Sequence, residues 1–300
     1  MSFGYQVLGF GAGSAAKKID ADYLVVGGGS TGGLRHGGGG GAGGYRTSFP
    51  GGTKQTFESP VTVTVGAGGT QPATGMTGNV PAQGTDSSFV TGATTFTSAK
   101  GGQGLGHGIY TSPYSYMDGG SGGGAGHGGG TSTGGSGNTP PTSPVQGTDG
   151  GDGGGGGGGG GGGSSTGGQS MTTGAGGTGG SSTSNSITGS SVAYAGGGGG
   201  GAYQNRAAGS GGGGGATNGT NMAGSTSAAT PNTGSGSGGT GADVPNGNVG
   251  AGASGIVVIR VPAANDPGSL SIAPGTNSIS TDSPTGDKIC TFTVDGTLSF

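Results

Sequence analysis

Apolar residues in this chain are gathered into short runs, and the runs carry the period of strands rather than helices. Residues 23–26, YLVV, read as a buried strand. Val61, Val63 and Val65 alternate with Thr62 and Thr64, which predicts a strand with one buried face, and Pro60 suits the position just before it. Residues 256–262, IVVIRVP, form the strongest strand pattern in the chain. A polar linker holding Pro267, Pro274 and Pro284 follows. Residues 289–294 and 297–300, divided by Asp295-Gly296, then predict a terminal hairpin. Nowhere does the pattern take on helical periodicity, so the expected fold is all-β and irregular with almost no α-helix.

From 67 to 255 the apolar positions are only short punctuation, as at Phe89 and Val90, Phe96, Ile109 and Tyr110, residues 114–117, residues 192–194, and Tyr203. Residues 140–144 predict a surface loop, and Asn218-Gly219 and Asn246-Gly247 are turn signals. Glycine fills the rest, with 91 among 300 residues. Val, Ile, Leu and Phe together number 38, too few for an ordinary core in a chain of this length. Either the glycine body is a flexible linker, as Gly/Ser-rich chains often are, or something other than side-chain burial holds it. Two features favour order. Disordered regions tend to be charged, whereas only 7% of this chain is, and strand-like runs flank the glycine tracts at both ends. Collagen needs glycine at every third position with abundant proline; irregular spacing and 14 prolines exclude it.

One ordered arrangement remains. Extended left-handed helices with three residues per turn point every N–H and C=O outward. Made of glycine, they can approach closely and bond to one another laterally, so backbone hydrogen bonds replace a core. The expectation is therefore a bundle of polyglycine II helices bonded into a sandwich and flanked by short β-strands. Residues 153–163, uninterrupted glycine, should have neighbours on all sides. Mixed tracts such as 119–130 and 234–241 should lie at the periphery.

Charge and candidate chemistry narrow the function. Nine Lys+Arg against twelve Asp+Glu leave no basic footprint for nucleic acid. No apolar stretch of about 18 residues occurs, so no membrane insertion is expected. Gly27-x-Gly29-x-x-Gly32 and Gly11-x-Gly13-x-x-Ala16 fit a dinucleotide fingerprint on paper, but no helix can follow them, and no cofactor is expected. His36, His107 and His127 are the only histidines, each set among glycines. A metal site would need them to converge; the expectation is three exposed or loop histidines and no metal. Asp149 and Asp152, beside the long glycine run, read as solvated turn residues. Cys290 stands alone and is expected to face the interior of a strand pair. Glu58 is the only glutamate, and no acid–base pair or nucleophile triad is legible, so the chain is not expected to be an enzyme.

Aromatic residues are the better lead. Tyr110, Tyr114 and Tyr116, with Met117, form a candidate recognition surface; the alternative is that they cap the edge of the glycine lattice. Residues 1–20 mix Phe3, Tyr5, Val7, Leu8 and Phe10 with small residues, and Lys17 and Lys18 follow the apolar stretch rather than precede it, so no secretory signal is expected. The segment reads either as a docking element or as an edge strand. The chain thus divides into a docking segment (1–20), a glycine-rich domain (21–262), and a linker with a hairpin (263–300).

The order of these pieces resembles a glycine-rich domain family of bacteriophage virion proteins. The matching segments are ADYLVVGGGSTGG (21–33), GGGGGAGGYR (37–46), PVTVTVGAGG (60–69), the spacer-like GTDSSFVTGATTFTSAKGGQG (84–104), ASGIVVIRVP (253–262) and KICTFTVDGTLSF (288–300). The stretch FGYQVLGFGAG (3–13) is similar to the N-terminal part of marine-phage virion proteins, which suits attachment to a capsid or tail. The resemblance implies a non-enzymatic structural protein on the virion surface, decorating the capsid or forming a short fibre. Its partners would be other virion proteins, and a homo-oligomer or array would cap the lattice edges. Related glycine-helix tips occur on tail-fibre adhesins, which implies the alternative of a receptor-binding tip that contacts a host surface receptor. Such adhesins carry a separate attachment domain, and none is expected before residue 21. A secreted matrix or ice-binding protein is a further alternative, disfavoured by the single cysteine and the irregular glycine spacing.

Overall fold

The computed structural model describes residues 16–70, 82–108, 115–128, 130–222, 224–241 and 248–300. The docking candidates Phe3, Tyr5, Val7, Leu8 and Phe10, the recognition candidates Tyr110 and Tyr114, and the Asn246-Gly247 turn signal lie outside the described residues. Strands β1 (Lys18–Val26), β2 (Tyr45–Thr47), β3 (Gln55–Glu58) and β4 (Val61–Thr64) come first. Strands β5 (Ser87–Thr91), β6 (Thr94–Ser98), β7 (Thr183–Asn185) and β8 (Val192–Tyr194) follow. The chain closes with β9 (Ile256–Val261), β10 (Ser271–Ala273), β11 (Ser278–Thr281), β12 (Lys288–Phe292) and β13 (Gly296–Ser299). The only helical element among the described residues is a 3-10 turn, Ala263–Asn265. The protein is a β protein with almost no helix, as the sequence predicts.

Two antiparallel sheets face each other. One runs β11-β12-β9-β1-β2, with β3 also on β1; the other runs β10-β13-β4-β5-β6. Their shared core holds Val25, Phe57, Val61, Val63, Phe89, Val257, Ile259, Phe292 and Leu298. The alternation in β4 is that of a strand with one wet face: Val61 and Val63 are buried and the threonines between them exposed. Strands β1 and β9 are central and covered on both sides, which explains their unbroken apolar runs. The second face of that sheet places Leu24, Val26, Ile256, Val258 and Ile289 against Ile187 and Tyr194 of the β7–β8 region.

Three expectations need correction here. The terminal hairpin does not form. Strand β12 pairs with β9 and β11, whereas β13 pairs with β4 and β10, so the two last strands enter opposite sheets. Burial decides this: Phe292 and Leu298 both fill the core between the sheets, one from each wall. The polar linker after 262 contains β10 and β11 rather than loop alone. Asn218-Gly219 is not a turn either, because Gly219 donates to Gly209 and Gly238 packs over Asn218 within the glycine body.

The glycine body is a bundle of extended segments with a three-residue hydrogen-bond repeat. Residues 37, 40 and 43 donate to 240, 237 and 234; residues 38, 41 and 44 donate to 105, 102 and 99; residues 39 and 42 donate to 159 and 162. The carbonyls repeat the pattern, accepting from 201 and 198, from 33, 30 and 27, and from 124 and 121. Residues 37–44 are thus enclosed by six neighbouring segments, and each of their amides has a backbone acceptor. Residues 158–163 are enclosed in the same way, donating to 198–201, 122–125 and 166–169 and accepting from 177–180, 39–42 and 151. None of these six glycines has φ in the left-handed region. Glycine is required by close approach instead: a Cβ on any of 158–163 would overlap a backbone carbonyl of a neighbouring segment.

The mixed tract 234–241 is interior, not peripheral. Ser235, Ser237 and Thr240 are fully buried. Their hydroxyls are tolerated because they join the lattice: Ser237 Oγ accepts from the Gly32 amide at 3.1 Å and donates to the Gly250 carbonyl at 2.6 Å. Residues 119–126 are likewise buried.

Hydrogen-bond register gives the bundle two poles. Residues 27, 44, 99 and 234 share the pole where the sheets lie, and β1 and β9 enter and leave there. Residues 33, 38, 105, 201 and 240 share the other, which is built of turns such as 34–36, 154–156 and 203–206.

Candidate functional site at the loop pole

The three histidines meet at the loop pole. His36 lies in the turn that reverses the chain between 33 and 38, and His107 and His127 end two neighbouring bundle segments. Backbone bonds hold these ends together: His127 donates its amide to the His36 carbonyl at 2.9 Å, and His107 donates to the Leu34 carbonyl at 3.1 Å. The His107 and His127 rings stack with centroids 4.8 Å apart. The His36 ring stands edge-on to both, at 6.0 and 5.7 Å, and to Tyr203 at 4.9 Å. His36 lies in a loop, as the expectation of exposed or loop histidines allowed, but it is only 4% exposed. Convergence was not legible because 36, 107 and 127 come together only once three segments have paired in register.

Backbone strain marks the same place. Arg35 and His36 both have φ of 53°, a left-handed conformation that costs a non-glycine residue about 1–2 kcal/mol. The neighbouring turn is glycine alone, with φ of 154°, 31° and 105° at Gly154, Gly155 and Gly156. Such a path is open to glycine and strained for other residues.

The electrostatics of His127 are fixed by that turn. Its Nδ1 accepts the Gly156 amide at 2.7 Å, with the Gly154 carbonyl 3.4 Å away. A nitrogen that accepts an N–H carries no proton, so the neutral ring bears its hydrogen on Nε2. With Nδ1 occupied and Nε2 protonated, His127 has no lone pair to offer a cation. Among the described residues, no group of three His, Cys, Asp or Glu side chains is placed to hold a metal ion.

Beside the cluster lies an open cleft of about 650 Å³, lined by His127, Thr131, Asp152, Ser170, Met171 and the glycines 153–155. Asp152 Oδ1 accepts the Gly134 amide at 3.0 Å, and its own amide donates to Ser170 Oγ at 3.1 Å. Asp149 is exposed and accepts the Gly137 amide at 2.8 Å. Both aspartates therefore brace backbone at segment ends. The cleft offers a carboxylate edge, two hydroxyls and a thioether face.

The recognition candidates within the described residues lie elsewhere. Met117 is 1% exposed and packs with Leu105 and Ala125, which corrects its assignment to a surface. Tyr116 is half-buried against that cluster and lines a shallow cleft of about 390 Å³ with Gln83, Asp86, Lys100 and Asp118. Gln83 closes this region by donating from Nε2 to the Tyr116 carbonyl at 2.6 Å. Sequence reasoning also missed Gln146, fully buried, whose Oε1 accepts the Ala99 amide at 2.8 Å and whose Nε2 donates to the Pro140 carbonyl at 2.8 Å. Its signal was a lone amide side chain between a proline loop and a glycine run.

At the opposite pole, Arg260 is a buried cation held between two carboxylates. Its Nε donates to Asp287 at 2.8 Å, Nη2 pairs with Asp282, and Nη1 donates to the Ile187 carbonyl at 3.1 Å. Desolvation opposes ionisation of Asp287, but hydrogen bonds from Arg260, Ala263 and Thr285 outweigh it and hold the carboxyl below its usual range.

Comparison with curated proteins and with solved structures finds no match. The profile of a family described as a glycine-rich domain matches residues 12–262, which takes in the opening strand, the whole bundle and β9. With the glycine lattice and its bounding strands inside that match, the chain belongs to this glycine-rich domain family.

Proposed function

We propose that this protein is a non-enzymatic structural protein displayed on the surface of a bacteriophage particle, standing on its sheet pole with its loop pole outward. The observation that carries the reading is the polarity of the bundle. Strands β1 and β9 enter and leave at one pole, while the described residues of the other form turns. A body so built presents loops far from its point of anchorage, which suits a capsid decoration or a short fibre. We read the bundle itself as polyglycine II, on the three-residue bonding repeat and the six-neighbour enclosure of residues 37–44. Because it is held by backbone bonds and not by a large apolar core, such a body suits an extracellular particle.

Electron microscopy of intact purified particles, labelled with antibodies against the purified protein, tests the reading. Labelling at the capsid or a fibre is the expected result. Absence of the protein from purified particles contradicts it.

The cleft beside His127 and Asp152 favours a second reading, a receptor-binding tip on a host surface. Purified protein would then compete with particles for adsorption to host cells, and variants at the loop pole would lose that competition. A displayed protein that does not compete is decoration alone.

A further inference from the structure

We propose that the histidine cluster at the loop pole is an acid-responsive latch: neutral imidazoles hold the turns around it closed, and proton uptake releases the 154–156 turn and widens the cleft that it borders. The inference rests on the geometry of the loop pole and does not depend on where the protein is displayed.

The switch is the hydrogen bond between His127 and Gly156. Nδ1 accepts the Gly156 amide at 2.7 Å, which requires a free lone pair on that nitrogen. A proton placed on Nδ1 turns the acceptor into a donor. It then opposes the Gly156 N–H and is drawn to the Gly154 carbonyl, 3.4 Å away. That carbonyl already accepts the Gly157 amide at 2.9 Å, so the new bond competes with the one that closes the turn. The turn can follow, because three consecutive glycines form it and no side chain of its own anchors it.

The surrounding rings add to the cost of the charge in the closed arrangement. His36 is buried and touches the other two imidazoles, so a charge on one ring raises the cost of charging the next. Among the described residues, Arg35 precedes His36 on its turn, the Tyr203 ring meets the His36 ring, and Asp152 lines the cleft with His127, whereas Arg206 turns its guanidinium onto the Thr173 carbonyl. Arg35 disfavours further positive charge. Asp152 favours it, but one of its oxygens is engaged by the Gly134 amide. The opened pole therefore binds protons more readily than the closed one, and falling pH drives opening.

Nuclear magnetic resonance of the full chain, labelled with ¹⁵N, tests the proposal. At about pH 7.5 His127 should show the tautomer protonated on Nε2. Between about pH 7.5 and about pH 5, exchange protection of the Gly156 amide should fall about tenfold relative to Gly161, after correction for intrinsic rates. In His127→Asn, whose Oδ1 replaces Nδ1 as acceptor without titrating, that ratio should stay constant. A ratio that stays flat in the natural protein, or falls equally in His127→Asn, overturns the latch. So does a His127 ring protonated on Nδ1 at about pH 7.5, a readout that needs no variant.

Discussion

Gly161 donates its amide to the carbonyl of Gly198 at 2.9 Å, and it can do so only because its Cα carries no methyl group. A Cβ at this position would overlap the carbonyl of Gly40 on a third segment. The φ of Gly161 is not left-handed, so conformational freedom is not the reason for glycine here. Its absent side chain lets three segments come within hydrogen-bonding distance of one another.

Gly161→Ala should therefore destabilise the protein by about 3 kcal/mol, because the backbone atoms it meets cannot rotate away. Gly275→Ala is the matched control: a Cβ there meets nothing within 4 Å, and its change should stay within about 0.5 kcal/mol. Chemical denaturation of both variants checks the contrast. Equal effects would mean that close packing is not what selects glycine in the bundle.

Arg260→Met should cost about 3–5 kcal/mol, since it leaves Asp282 and Asp287 facing a buried apolar group without their cation. Asp287 also fixes the acid side of stability. Its pKa is lowered from 3.8, so its contribution is complete above about pH 3.8 and is lost as pH falls through the lower folded value. Denaturation midpoints measured against pH should show this loss in the natural protein, and a smaller one in Arg260→Met.

Cys290 is fully buried, and burial, with Asp266 adding to it, pushes its thiol up to about 12. At about pH 8 the thiolate fraction is on the order of one in ten thousand, so iodoacetamide should modify the unfolded chain and spare the folded one. The sign of the linkage follows. A thiol whose folded pKa exceeds its unfolded value of 9.0 contributes stability below pH 9, and this is lost as pH rises toward about 12. Rapid alkylation of the folded protein would place Cys290 outside the sheet core.

Much of the fold could be read from local pattern. Strand β9 announces itself by its apolar run, and β4 by the alternation of Val61 and Val63 with threonine. What failed was pairing between distant segments. Asp295-Gly296 looks like a hairpin turn, yet the need to bury Phe292 and Leu298 from facing walls sends β12 and β13 into different sheets. Ser237 and Thr240 looked peripheral because they carry side chains, although a small hydroxyl can replace a backbone partner inside the lattice. The histidine cluster was illegible for a related reason. Each histidine abuts a glycine tract, but only the three-residue register of the tracts brings the rings within 6.0 Å.

Residue-resolved amide hydrogen exchange across 158–163 tests the central claim most directly, namely that backbone bonds between glycine segments hold the body together. With each amide bonded to a carbonyl of an enclosing segment, these glycines should be protected to the same degree as β9, opening only with global unfolding. Exchange at the rate of an unstructured chain throughout 158–163, while β9 stays protected, would contradict the account and leave the glycine body a flexible filler.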